Sequence, residues 1–366
     1  MLSPHRNTVI TTLRASSLRK ILILGVIAVL AGTLAGSRPG ANSARAASKT
    51  KPNAKTNAKV KTGAKSAAAK PKAPVTTAPI AAAPAPAATT PAKPARTLRI
   101  GAIPDVTPEK LVEINGTVAK YLAKKLNVKV EYVPVADYPS AVSLFRTGDL
   151  DLVWFGGLTG VQARLQTPGA KVLAQRDVDD DFHSVFIVNT SVQALPVIDS
   201  VGRLAALKGF RFTFGSESST SGRTMPEYFL DAAGLDSSRD FAGAPGYSGS
   251  HDKTIDLVLA GTYEAGALNE QVWARRVAAG TVDLTKVKMV FRTPGYRDYH
   301  WIAGPKTDER FGNGFSDNIK DAFLTADADV DGAKALSLLG SKKFIPTNAN
   351  NYKDIEKIGR TLGLIR

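Results

Sequence analysis

Five hydroxyl side chains fall within six residues at Ser216-Glu217-Ser218-Ser219-Thr220-Ser221, between Gly215 and Gly222. The run Phe210 to Phe214 leads into them and reads as a strand, and Met225 to Ala233 follows and reads as a helix. A strand that passes through small residues into a helix start gathers several free backbone N–H groups at one point, at the positive end of the helix dipole. Such a point suits an anion, and the Ser and Thr hydroxyls add further donors. A second small-residue turn, Tyr247-Ser248-Gly249-Ser250-His251-Asp252, also leads into a helix. Together the two turns read as two walls of an oxyanion pocket.

Other chemistries fit poorly. Ser221, His251 and Asp252 carry the letters of a hydrolase triad, but the serine lacks a G-x-S-x-G elbow and adjacent His and Asp side chains do not easily orient each other. Four His and no Cys argue against zinc. The acidic run Asp177, Asp179, Asp180 and Asp181 lacks the Gly and Glu of a calcium loop. The Gly-rich pieces lack the Lys-Ser/Thr of a phosphate-binding loop. The reading is a binding protein with no catalytic residue, metal or cofactor.

Elements of alternating type would position these turns. Strands are expected at Leu98–Ala102, Val128–Val133, Leu150–Phe155, Val172–Gln175, Val185–Val188, Phe210–Phe214, Ala265–Leu268 and Val287–Phe291. Helices are expected at Pro108–Leu126, Tyr138–Phe145, near Val161–Leu165, and at Met225–Ala233 and Ile255–Leu259. The pattern is α/β with mainly parallel sheets. Roughly 270 residues suffice for two domains of ordinary size.

The net charge of +16 belongs to the N-terminal part. Of 48 basic residues, 16 lie in residues 1–97, which contain no acid; the remaining 32 equal the 32 acidic residues. A broad basic face for nucleic acid is therefore not expected. Residues 1–46 read as a signal peptide or N-terminal anchor: Arg14, Arg19 and Lys20 precede an apolar run, Ile21 to Gly36, and Ala44-Arg45-Ala46 offers a cleavage site. Residues 47–96, rich in Ala, Pro, Lys and Thr, read as a disordered linker, either a solvated spacer or a cationic tether to anionic envelope material. The rest of the chain is expected outside the cytoplasm.

Several spaced motifs resemble the periplasmic solute-binding proteins of ABC importers, in the phosphonate-binding group. They are Ile100-Gly101-Ala102-Ile103-Pro104-Asp105, Gly148 through Gly157, Ser218 through Gly222, Tyr247 through Asp252, Gly261 through Asn269, and Phe344-Ile345-Pro346-Thr347. Gly266-Ala267-Leu268-Asn269, Val272-Trp273 and Tyr299-His300-Trp301 are most similar to the selenate-binding branch.

The resemblance implies a two-lobed periplasmic-binding-protein fold of type II kind, with ligand in the cleft between lobes. One lobe would comprise residues 97–184 plus 302–366 and the other residues 185–301. A permease and a separate ATPase would be the partners. A tethered sensory module using the same pocket is the alternative.

The ligand set expected is Ser219, Thr220, Ser221, Gly222, His251, Tyr138, Asn269, Phe155 and Gly156. Asp252 is expected to cap its helix. Asp105 could line the cleft or cap a helix. Tyr296 and Asp298 to Trp301 are read mainly as packing near the second crossover. The expected ligand is a small tetrahedral oxyanion, selenate- or sulfate-like or a phosphonate, phosphate or phosphite; a cleft rich in donors and poor in carboxylates would favour a bare inorganic oxyanion over an aminoalkyl phosphonate.

Overall fold

The first long helices are set by local chemistry at their ends. The computed structural model describes residues 96–366 apart from 193 and 194; the signal or anchor segment and the linker up to residue 95 lie outside the described residues. The chain opens with β1 (Thr97–Ala102) and α1 (Pro108–Leu126). Thr107 caps α1 by accepting from the Lys110 amide at 3.4 Å, Pro108 occupies the first turn, and Asn127 ends it in a left-handed conformation at φ 52°. After β2 (Lys129–Tyr132) comes α2 (Tyr138–Thr147), capped by the Asp137 carboxylate, which accepts from Ser140 N at 2.7 Å. Then follow β3 (Leu152–Phe155), α3 (Gly157–Gln166) and β4 (Lys171–Arg176).

The chain next builds a second layer. It comprises β5 (Ser184–Asn189), β6 (Phe212–Phe214), α4 (Met225–Ala232), β7 (Gly246–Tyr247), α5 (His251–Leu259), β8 (Ala265–Asn269), α6 (Glu270–Ala278) and β9 (Val287–Arg292). It returns with β10 (His300–Ala303), α7 (Lys306–Phe311), α8 (Phe315–Leu324), α9 (Val330–Leu338), β11 (Phe344–Pro346) and α10 (Lys353–Thr361).

Two sheets result, one per lobe. The first runs β11-β4-β10-β3-β1-β2 and the second β7-β6-β8-β5-β9. The expectation of mainly parallel sheets is corrected here, because both are mixed. In the first, β1 pairs in parallel with β2 and β3, while β10 runs antiparallel to β3 and β4 and β11 antiparallel to β4. In the second, β6 is parallel to β7 and β8, while β5 is antiparallel to β8 and β9. The antiparallel members β5 and β10 are the strands by which the chain enters a sheet from the other layer, so connectivity sets their direction. From His300 onward the chain pairs with β3, so His300 and Trp301 belong to the first sheet.

The strands that end at the cleft are buried along their whole length. β3, β5, β6, β8 and β10 expose no residue, and such continuous burial is what coverage of both faces of a sheet produces. In the first lobe Trp301 stacks on Phe323 at 4.9 Å and tilts against Trp154 at 5.3 Å. In the second, Phe212 stacks on Phe241 at 4.6 Å. Burying each large side chain of this kind contributes about 1.5–3 kcal/mol, which holds the strand ends and their loops in fixed positions.

Candidate functional site

The hydroxyl loop leaves β6 and enters a wide helical turn, Thr220–Thr224, that continues directly into α4. Wide turns of this type are rare and concentrate at functional sites. Ser219 Oγ accepts from the Gly222 amide at 2.9 Å and caps the turn. Gly222 leaves little room for a side chain: a Cβ there would lie 3.1 Å from Gly215 Cα and 3.1 Å from the His251 ring, so those neighbours would have to give way. That close approach brings the two small-residue turns together as the sequence suggests.

Among the described residues, six buried side-chain atoms have no hydrogen-bond partner; beside Thr167 Oγ1, His183 Nε2 and Trp301 Nε1, three belong to Ser221 (Oγ), Tyr138 (Oη) and Asp298 (Oδ2), far apart in sequence. Buried polar groups are normally paired, and leaving one unpaired costs about 1–3 kcal/mol. Asp298 Oδ1 accepts from the Gly157 amide at 2.8 Å. Across the cleft, Thr220 Oγ1 accepts from the Leu158 amide at 2.9 Å. The Thr220 and Ser221 hydroxyls lie near enough to the Asp298 carboxyl to favour its ionised form, although Ser221 Oγ makes no hydrogen bond to it. Burial outweighs them and pushes Asp298 up to about 7. Burial likewise raises the Tyr138 phenol well above its ordinary value, so it stays a donor.

His251 supplies a neutral donor. Its Nδ1 accepts from the Asn269 backbone N–H at 3.3 Å, which leaves the proton on Nε2, 3.4 Å from the Tyr299 hydroxyl. Burial, assisted by the Arg275 charge, lowers its pKa to about 3. The lobes also meet where the His251 amide donates to the Asp105 carbonyl at 3.2 Å.

The residues expected at the site are brought into one neighbourhood, but they do different jobs. Ser219, Thr220, Ser221, His251, Tyr138 and Asn269 are each at most 3% exposed. The Asn269 amide is committed within the protein. Its Oδ1 accepts from Gln271 N and Val272 N at the start of α6, and its Nδ2 donates to Tyr299 Oη at 3.2 Å. The Phe155 ring packs edge-on against Phe145 at 5.4 Å, in the core of the first lobe. Gly156 lies where a Cβ would come within 3.2 Å of Thr220 Oγ1 and 3.3 Å of Asp298 Oδ1.

Ser250, not Asp252, caps α5; Asp252 pairs with Arg276 at 3.1 Å. Asp105 does not cap α1. It borders a cavity of about 220 Å³ shared with Trp154, Arg176, Asn269 and Arg275, and none of the three unpaired atoms belongs to a residue lining that cavity.

Asp298 is the residue that sequence reasoning undervalued, because its neighbours are aromatic and it was grouped with packing residues. A single carboxylate inside Tyr296-Arg297-Asp298-Tyr299-His300-Trp301 was the available signal: an acid there must be buried with its neighbours. The donor-only cleft is thus amended to one with donors and the Asp298 carboxyl, with the Asp105 carboxyl near enough to help raise the Tyr138 phenol.

An α/β fold of two mixed sheets, with buried polar side chains from both brought together, is the architecture of a periplasmic solute-binding protein. The chain belongs to the family described as ABC transporter, phosphonate, periplasmic substrate-binding protein, which matches residues 100–352. It is therefore the extracytoplasmic binding component of an ABC importer of the phosphonate family.

A curated relative, the probable ABC transporter phosphite binding protein PhnD1 of Prochlorococcus marinus, is 47% identical over 272 residues, 74% of this chain and 91% of that protein. The structure of PhnD1 in complex with methylphosphonate matches at TM-score 0.71 and 46% identity, covering 74% of this chain and 99% of that one. A binding component of an ABC phosphonate transporter from Pseudomonas aeruginosa matches at TM-score 0.62 and 19% identity, covering 72% and 85%; at that identity the likeness is one of fold alone. The names of these relatives carry phosphite and phosphonates rather than selenate. Among the described residues no helix is long and apolar enough to cross a membrane.

Proposed function

We propose that the interlobe pocket captures a small phosphorus oxyanion of phosphite or methylphosphonate size and delivers it to a membrane permease driven by a separate ATPase. The observation that carries this reading is the buried Asp298 carboxyl, unpaired at Oδ2, facing a set of donors. The Tyr138 and Ser221 hydroxyls and the amides at the start of the wide turn would hold the anionic oxygens, and His251 Nε2–H would join them by leaving the Tyr299 hydroxyl. Asp298 needs a proton between itself and the ligand, since two ionised oxygens at hydrogen-bond distance repel. Phosphorous and phosphonic acids have their second ionisation near neutrality and can share that proton. Sulfate and selenate are fully ionised there and bring no proton, so the bridging proton would have to come from Asp298 itself, which holds it only up to about 7. The P. marinus relative's name and its methylphosphonate complex support the same chemistry.

Residues 97–183 with about 299–366 would form one moving lobe and residues 184–292 the other. Segments 177–183 and 293–299 would carry the hinge, and ligand contacts made from both sides would favour the closed state. Calorimetric titration of the full chain with phosphite, methylphosphonate, phosphate, sulfate and selenate at neutral pH tests the proposal. Phosphite or methylphosphonate should bind tightest, by about a hundredfold over selenate, or roughly 2.7 kcal/mol. Selenate binding as tightly as either would overturn it.

A further inference from the structure

We infer that Ser184 and Tyr296 are positioning residues that tie the hydroxyl loop to both crossing segments through a hydrogen-bond relay ending on the Ser221 carbonyl. The inference rests on the oxyanion reading of the pocket. Ser184 is the first residue of β5 and is fully buried. Its Oγ lies 2.7 Å from Ser221 O and 2.6 Å from Tyr296 Oη. Proton counting fixes the direction of both bonds. A carbonyl oxygen only accepts, so Ser184 gives its single hydroxyl proton to Ser221, and Tyr296 must then donate to Ser184. The Tyr296 phenol, raised well above its ordinary value by burial, keeps that proton throughout the ordinary pH range.

Both ends of the relay are anchored in the segments that join the lobes. Phe182 and Tyr296 exchange backbone hydrogen bonds at 2.7 and 2.9 Å, and their rings meet edge-on at 6.0 Å. The Ser184 amide donates to Thr293 Oγ1, and the Thr293 amide returns a bond to Ser184 O, each at 3.0 Å. At the other end, holding the Ser221 carbonyl fixes the residue whose Oγ is one of the unpaired donors. The same segment places the Asp298 carboxyl two residues after Tyr296. The crossing segments therefore steady both the carboxyl and the hydroxyl that would flank the ligand, so a change in the angle between lobes must move both.

The test is a double-mutant cycle on the full chain. The wild type is first titrated with phosphite, methylphosphonate, phosphate, sulfate and selenate, and the tightest binder serves as probe. Tyr296→Phe keeps the ring packing on Phe182 and should weaken binding about threefold, whereas Ser184→Ala should weaken it about tenfold or more. Adding Tyr296→Phe to Ser184→Ala should cost no further affinity, because the phenol has already lost its acceptor. Ligand-free melting temperatures run in parallel: a merely structural role would lower them and leave affinity alone.

Wild-type affinity in Tyr296→Phe, or losses that multiply independently in the double variant, would overturn the relay and leave the oxyanion reading standing. Failure of the wild type to bind any of the five anions would overturn both.

Discussion

The hydroxyl loop at residues 215–222 and the return segment at 293–299 contribute to the pocket in opposite ways. The loop is a local device. Its strand, small residues and helix start follow one another in sequence, and its cap is the Ser219–Gly222 bond three residues apart. The return segment has no such internal logic. Asp298 receives the amide of Gly157, 141 residues away, and Tyr296 reaches Ser184, 112 residues away. The comparison teaches that the hydroxyl donors of the loop are written locally, while the Asp298 carboxyl beside them is a product of tertiary placement. Donors alone would suit any tetrahedral anion; on the proposed reading the carboxyl would narrow the choice.

The largest effect should come from the return segment. Asp298→Ala removes the acceptor and leaves the Gly157 amide unpaired, so methylphosphonate affinity should fall about a hundredfold or more in calorimetry. A loss under about fivefold would place the carboxyl outside the binding chemistry.

Asp298 should also show in the pH dependence of ligand-free stability. The native state holds its proton up to about 7, whereas an ordinary carboxylate releases it near 3.8. Between those values the native state binds more protons than the unfolded one, so this group's contribution falls as pH rises, by about 4 kcal/mol at most. His251 and His300, both lowered to about 3 by burial, act the other way, because the unfolded chain protonates them first as pH falls. The expected signature is therefore a difference: Asp298→Asn should gain stability over the wild type progressively from pH 4 to pH 7 in denaturant titrations. A pH-independent difference would contradict the buried, proton-holding carboxyl.

Within the loop the hydroxyls should separate. Ser221→Ala deletes an unpaired donor and should cost about tenfold in affinity with little change in stability. Ser219→Ala deletes a cap and should cost about 1 kcal/mol of stability with a smaller change in affinity. Equal effects on both measures would dissolve the distinction. The smallest affinity change should follow Phe155→Leu, which disturbs the ring contact with Phe145 and is expected to lower stability while leaving anion affinity within about twofold.

Much of the fold was legible where local chemistry decides it. α1 spans Pro108–Leu126 as the Thr107 and Pro108 signals indicate, and the strand end Trp154-Phe155 with Gly156 lies beside the site. Strand direction was not legible, since β5 and β10 take theirs from partners distant in sequence. From the sequence no element is assigned after Phe291, and α8, α9 and α10, of nine or ten residues each, are missed along with shorter ones. α7 has only six residues and β11 three, too few for periodicity to register.

At the site, residue types announced the donors but not their employment. Nothing in the sequence shows that the Asn269 amide is consumed by Tyr299 and the start of α6, or that the buried acid amid aromatics faces the hydroxyl loop.

The most direct measurement is the ratio of methylphosphonate to selenate affinity, by calorimetry at pH 7, in the wild type and in Asp298→Asn. An amide cannot repel a dianion, so the account predicts that a wild-type preference for methylphosphonate of about a hundredfold collapses to within about tenfold in the variant. An unchanged ratio would contradict the claim that a proton shared with Asp298 selects the ligand.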